Sequence, residues 1–365
     1  MKALQIYAGP SARQQLMEQG LQPEQVRVIP AAAGGPKGLI LGPLDRFIFG
    51  QWLSQSSQPV HLVGASIGAW RMATACLQQP VPALERLERD YIAQHYEIAP
   101  GQKRVPAREV SAQFAANLQL FYGGRINEIL QHPRYRLHVL ASRGRGLLRR
   151  EHPWLTPLGY AGAFAGNVLH RRLLGWSLER MVFSSSDTPL PFDASDFPTR
   201  RAALDPSNFM QALQASCSIP FLLEAVHGIA GVPEGAYWDG GITDYHLHLN
   251  YAAAADDGVW KAGQGLVLYP HFQQAVVPGW LDKALPWRHR SSAFLDSMVV
   301  LAPRAQWVAG LPNGKLPDRT DFTSYGNDFA GRSKAWTGAT AAAQQLADEF
   351  EAWLARPDPA QVLPL

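Results

Sequence analysis

The sequence predicts an α/β fold, a sheet with helices on its faces, and three observations predict it. Short apolar runs bounded by Gly and Pro alternate with helical stretches over residues 3–77, the order of a chain that winds strand, helix, strand around one sheet. The 365 residues are 47% apolar and 17% charged. A disordered chain needs the opposite, low hydrophobicity with high net charge. No linker rich in Pro, Gly or Ser separates two halves, so residues 1–365 read as a single domain.

The elements follow in order. Residues 3–7 and 26–29 read as strands. Between them, residues 12–19 read as a helix with Ser11 as N-cap and Gly20 just past its end. Residues 39–53 form a second helical stretch that Gly42-Pro43 interrupts. Residues 60–63 are a third strand and residues 67–77 the next helix. Residues 80–131 look mainly helical, ending near Gly123-Gly124. Further strands are expected at 135–141, 180–184 and 265–269, with a helix at 206–217 stopped by Pro220. In the C-terminal segment 325–355, residues 333–355 read as one long amphipathic helix. Its apolar side carries Trp336, Leu346, Phe350, Trp353 and Leu354.

Composition narrows the function classes. Lys+Arg is 33 against Asp+Glu 30, a formal charge of +3, which gives no basic footprint for nucleic acid. Cys76 and Cys217 stand far apart and make neither a disulfide framework nor a metal-ligand pair. They read as buried thiols in a reducing compartment. The N-terminal residues hold no apolar stretch long enough for a signal peptide. No run reaches the roughly 18 apolar residues that a membrane-spanning helix needs. A soluble, cytoplasmic protein is expected. Eleven Trp is a high number and suits large cores or apolar binding surfaces.

Three motifs carry chemistry. His61-Leu62-Val63-Gly64-Ala65-Ser66-Ile67-Gly68 contains G-x-S-x-G after an apolar strand and before a helix, the setting in which a sharp turn presents a serine as nucleophile. Gly64 and Gly68 let strand and helix approach closely. The Ile67 amide can donate to a developing oxyanion, and the helix N-terminus adds about 0.3–1 kcal/mol. The plain alternative is a strand-to-helix turn with Ser66 as N-cap. The second motif is the loop Ala32-Ala33-Gly34-Gly35-Pro36-Lys37-Gly38. It is no P-loop, because Gly38 rather than Ser or Thr follows Lys37, and it lacks the dinucleotide pattern. An oxyanion hole with amides of Gly34 and Gly35 fits it better, and one such donor is typically worth about 10²–10³ in rate. A tight glycine turn is the alternative. The third motif, Trp238-Asp239-Gly240-Gly241, sets a carboxylate before two glycines. Alone this is most simply a turn; beside a serine nucleophile it supplies a proton acceptor.

Together these motifs resemble the patatin-like phospholipase family, over about residues 26–250. Residues 32–38 align with that family's D-G-G-G-x-R-G loop, residues 64–68 with its elbow and residues 239–241 with its acid motif. Ala215-Ser216-Cys217-Ser218-Ile219-Pro220 resembles its A-S-x-A-I-P stretch. The resemblance implies a three-layer α/β/α sandwich and a Ser–Asp dyad without histidine. Ser66 would attack an ester carbonyl, Asp239 would take its proton, and water would hydrolyse the acyl-enzyme. Ala32 and Ala33 depart from the leading Asp and Gly, and Lys37 replaces Arg, a point charge in place of a planar fork. The implied substrates are lipid or other acyl esters, as for a phospholipase A, lysophospholipase or carboxylesterase.

Four histidines, His246, His248, His271 and His289, follow Asp239, so chain order alone permits a Ser–acid–His triad. The early position of Ser66, after about two strands, argues for the dyad. His246 and His248 also have the spacing of a metal pair, but no third ligand is suggested. The proposed chemistry requires no metal or organic cofactor, and no loop has calcium-ligand spacing. Residues 143–176 combine Arg143, Arg145, Arg149 and Arg150 with Trp154, Leu155 and Leu158, then Arg171, Arg172 and Trp176. Cations beside apolar groups suit a lid or a cap in peripheral contact with membrane lipid; a packed helical hairpin with a solvated arginine face is the alternative. Rival functions are a non-catalytic acyl- or lipid-binding protein, an intracellular polyester or thioester hydrolase, and an acyltransferase. The oligomeric state has no sequence signal.

Overall fold

The computed structural model describes residues 1–98, 101–102, 105–254, 260 and 265–365. Its centre is a ten-stranded sheet. The strands are β1 (Leu4–Ala8), β2 (Val26–Ala31), β3 (Val60–Ala65), β4 (Tyr135–Gly144), β5 (Leu178–Ser184), β6 (Thr199–Ala203), β7 (Tyr237–Asp239), β8 (Leu266–Pro270), β9 (Met298–Pro303) and β10 (Val362–Pro364). They lie in the order β10-β1-β9-β8-β2-β3-β4-β5-β6, with β7 paired to β4 off that path. The middle of the sheet is parallel: β9 with β8, β8 with β2, β2 with β3, and β3 with β4. Every residue of β2, β3, β8 and β9 is buried, which is why these strands are mostly apolar rather than alternating, with Arg27 and His61 as the charged or polar exceptions in β2 and β3. The α/β class is as the sequence predicts.

The expected strands are present; four run two or three residues longer, and those at 3–7 and 265–269 keep their length but lie one residue further along. Four more complete the sheet. β9 carries an apolar run as clear as that of β3. β6 (Thr-Arg-Arg-Ala-Ala) and the three-residue β7 and β10 carry none; pairing makes them strands.

Three helix expectations need correction. The first helix, Pro10–Gln19, starts on Pro10, so Ser11 is not its cap. The Ser11 amide and hydroxyl both donate to Asp296. Gly42-Pro43 opens the helix Gly42–Phe47 instead of interrupting one, as suits a proline in a first turn. The single C-terminal helix is two, Phe329–Ala342 and Gln344–Ala355. The break at Ala343 lets two apolar sets face different neighbours. Trp336 packs edge-on against Phe322 and tilted against Tyr91, whereas Phe350 packs edge-on against Phe47 and Trp52. Among the described residues no helix is long and apolar enough to cross a membrane.

Candidate active site

The parallel pairing of β2 and β3, with Ala31 opposite Gly64, sends the glycine loop and the elbow out of the same end of the sheet. That end is where open α/β sheets hold their ligands. The approach is too close for side chains. A Cβ on Gly68 would lie 1.9 Å from the Ala31 carbonyl oxygen, and one on Gly64 would lie 2.4 Å from Ala69 Cα. Between them Ser66 is held at φ 56°, ψ −130°, a conformation that costs a non-glycine residue about 1–3 kcal/mol. Ser66 occupies the N-cap position of the helix Ile67–Ala75, yet its side chain makes no capping bond. Its hydroxyl donates instead to Asp239 Oδ2 at 2.7 Å.

Asp239 comes from 173 residues further along the chain, and β4 brings it in. β3 pairs with β4 as far as Ala65 opposite Leu140. β7 then takes over with Asp239 opposite Ala141. Ala65, the residue before the nucleophile, and Asp239 thus lie opposite consecutive residues of β4. Gly240 is required by the junction: a Cβ there would lie 2.1 Å from the Leu140 carbonyl oxygen. Asp239 Oδ1 accepts the Gly241 amide at 2.7 Å, and both Ser66 and Asp239 are about 95% buried. Burial pushes the Asp239 carboxyl above its ordinary value; Arg319, the Ser66 hydroxyl and the Gly241 amide pull it back.

The stretch 215–220 is the scaffold between the two. Ser216 Oγ accepts the Ser66 amide at 2.9 Å and donates to the Leu140 carbonyl at 2.6 Å. The amides of Asp239 and Gly240 donate to the carbonyls of Ser218 and Ser216. Ser142 Oγ donates to the Asp239 carbonyl at 2.9 Å. Each half is also pinned by a buried bidentate ion pair. Arg71, on the helix after Ser66, grips Asp45 at 2.7 and 2.7 Å. Arg180 grips Asp244, five residues past Asp239, at 2.8 and 2.7 Å.

Ser66 opens onto a cavity of about 500 Å³. Gly35 and Ile67 share its wall with Ser66, and the remainder is mostly apolar, including Trp70, Phe114, Ile219, Phe221, Leu223 and Phe322. Gly35 has φ 57°, the left-handed region that favours glycine. Among the described residues, nothing accepts a hydrogen bond from the amides of Gly35, Gly34 or Ile67. Gly34 does not reach the cavity wall; a Cβ on it would lie 2.7 Å from the Phe272 ring. Gly38 packs on Ile67, and Gly241 on Ala33. Lys37 turns away from the cavity, its Nζ 5.4 Å from the centre of the Phe272 ring. Burial lowers its pKa, and Asp318 opposes that shift.

Two arginines that no sequence motif announced line the cavity: Arg332, which lies over the Phe322 and Trp336 rings and donates to the Gln94 carbonyl, and, beside Gly35, Arg319. It lies on the wall, its Nε 3.3 Å from where a Gly35 Cβ would sit. No described carboxylate pairs with it: the neighbouring Asp318 bonds Lys315 and Thr320. Cys217 is also on the wall, and burial raises its thiol pKa well above the ordinary value. The four late histidines are elsewhere. None lines the cavity. His246 is buried against His271 and Phe272, His248 bonds Ser292, and His289 bonds the Asp282 carbonyl. His246 and His248 do not converge on a shared position, and among the described residues no group of three His, Cys, Asp or Glu is arranged to hold a metal ion.

Residues 143–176 do not roof this cavity, since none of them lines it. Arg143 belongs to β4, and the helix Leu155–Leu169 follows. Its inner side, Tyr160 and Ala163, joins Leu148 and Leu174 in a small core with Trp238 and Ile242, directly behind Asp239.

No family model and no curated protein matches the chain. Among solved structures it is similar to the crystal structure of VipD from Legionella pneumophila, at 14% sequence identity and a TM-score of 0.34. The match covers 95% of this chain and 70% of that one. A likeness this distant adds nothing to the reading of the site.

Proposed function

We propose that the protein is a serine acyl-ester hydrolase of patatin-like type, acting on esters with an apolar acyl group. One observation carries the reading: a strained, buried serine whose hydroxyl donates to a buried carboxylate at 2.7 Å. Strain and burial at such a pair are unfavourable for folding and have a use in catalysis.

In the proposed reaction Ser66 Oγ attacks the ester carbonyl carbon while its proton passes to Asp239 Oδ2. The carbonyl oxygen becomes an oxyanion, held by the amides of Gly35 and Ile67. Collapse of the tetrahedral adduct breaks the C–O bond to the alcohol, which takes the proton from Asp239. Water then attacks the acyl-Ser66 ester, giving its proton to Asp239, and the acid leaves as Ser66 recovers its hydrogen. Arg319 favours the charged form of Asp239 that the first step needs. The apolar wall suits a hydrocarbon chain, and about 500 Å³ falls in the usual range of ligand cavities, about 300–1,000 Å³.

Hydrolysis of p-nitrophenyl esters from short to long acyl chains tests this. Wild type is expected to turn them over with a chain-length optimum that sizes the cavity. Ser66→Ala and Asp239→Asn are expected to be inactive. A wild type inactive on every ester overturns the reading.

A further inference from the structure

We propose that the outer face of the helix Leu155–Leu169 docks on an anionic lipid bilayer and seats the mouth of the Ser66 cavity against it. Use of the bilayer as a source of acyl groups rests on the hydrolase reading above; the docking does not.

A helix on a protein surface normally turns a polar face to water. The sequence of this one, Leu-Thr-Pro-Leu-Gly-Tyr-Ala-Gly-Ala-Phe-Ala-Gly-Asn-Val-Leu, holds no charged residue. With its inner side packed, the outer side still presents Leu155, Leu158, Phe164, Val168 and Leu169 to solvent. Among the described residues nothing lies within 4 Å of where a Cβ on Gly162 would sit. Trp154 and Trp176 are 81% and 77% exposed just beyond the helix and the turn after it. Tryptophan's amphipathic ring suits the headgroup level of a membrane.

Charge selects the kind of surface. Residues 145–176 hold five arginines and one carboxylate, Glu151, which is engaged by the Ala225 amide. This short segment therefore carries a larger positive excess than the +3 of the whole chain. Arg145, Arg149, Arg150 and Arg172 are exposed. A second copy packed symmetrically on this face would set those arginines against their own kind. A bilayer offers both hydrocarbon and negative headgroups.

The helix also adjoins the rim of the cavity, through Tyr160 on its inner side. Phe221 and Leu222 are exposed and at the same time line the cavity. The Phe221 ring meets Tyr160 edge-on, centroids 5.8 Å apart.

Co-sedimentation with vesicles tests the docking without reference to turnover. Wild type and Ser66→Ala are expected to bind vesicles of phosphatidylcholine with phosphatidylglycerol equally, and pure phosphatidylcholine vesicles far less. Arg149→Gln with Arg150→Gln and Arg172→Gln, all exposed, is expected to weaken binding by about 100-fold, at roughly fivefold per arginine. Trp154→Ala with Leu158→Asp is expected to abolish it, while hydrolysis of a short soluble ester is unchanged. Three outcomes overturn the proposal: no binding by wild type, binding untouched by these substitutions, or a dimer in light scattering that Leu158→Asp dissociates. A wild type that binds no vesicles yet hydrolyses esters through Ser66 rejects the docking alone. A protein inactive on esters that still docks rejects only the hydrolase reading.

Discussion

Asp239 and the helix Leu155–Leu169 are separated by little more than Trp238, whose ring meets Tyr160 with centroids 6.1 Å apart. Across that layer the usual arrangement is inverted. On one side a carboxylate, a serine and two bidentate Arg–Asp pairs are buried. On the other, leucines and tryptophans stand in water. The buried side is over-determined: Ser66 and Asp239 bond each other, Ser216 on a helix and Ser142 on β4, so a strained serine stays where it is. The exposed side is determined only from within, by Tyr160 and Ala163. Substitutions on the two sides should therefore differ in kind. Those inside should change chemistry or stability, and those outside neither.

The largest effect is expected at the nucleophile. Ser66→Ala should lower ester turnover by a factor on the order of 10⁴ or more, with the melting temperature little changed, because alanine keeps the same backbone strain and loses only the hydroxyl.

Next come the pins. Asp244→Asn neutralises the bidentate partner of buried Arg180; Asp196, 2.9 Å from Arg180, still faces it, so the cost should fall below the about 3–5 kcal/mol of a buried charge left alone. Gly68→Ala drives a methyl group into the Ala31 carbonyl and should be at least as damaging. Chemical denaturation measures both.

A smaller, signed effect concerns Asp239. Burial raises its pKa in the folded state above the unfolded value, so the folded chain holds that proton more tightly. Stability from this group is full below the unfolded pKa and declines as pH rises through the folded one. Asp239→Asn keeps the shape and removes the decline. It should melt above wild type at neutral pH, with the gap closing in acid. In catalysis Asp239 must be ionised, so the acid limb of the kcat/KM profile should lie above the range of an exposed aspartate. Arg319→Gln, which removes a charge that lowers this pKa, should move that limb to higher pH. An unmoved limb would dissociate Arg319 from the acid.

The smallest effect sharpens the comparison by its absence. Leu158→Asp should change stability by no more than about 0.5 kcal/mol, as read by thermal melts, because that side chain has no apolar neighbours to lose on its outer side.

The difference between the two regions also explains what the sequence reveals. Ser66, Asp239 and the glycines around them are legible because each close approach forbids a side chain or each turn demands a short list of residues. Gly64, Gly68 and Gly240 are all of this kind. Arg319 is illegible because it arrives from a loop of no pattern, and only the folded chain sets it beside Gly35. Lys37, the cation that the glycine loop itself supplies, faces Phe272 instead. β7 has three residues and no apolar run; its place along β4 comes from pairing alone. The basic and aromatic character of 143–176 is plain in the sequence. That its apolar groups point outward, and that none roofs the cavity, depends on which side of the helix Tyr160 and Ala163 occupy.

The central claim is that Ser66 is an activated nucleophile served by Asp239, and covalent labelling addresses it most directly. Wild type, Ser66→Ala and Asp239→Asn would be treated with an alkyl fluorophosphonate, and the site of phosphonylation located by peptide mass spectrometry. The expected result is one adduct per wild-type chain on Ser66, none on Ser66→Ala, and strongly slowed labelling of Asp239→Asn. A wild type that stays unlabelled while folded, or labels as fast without Asp239, would contradict it.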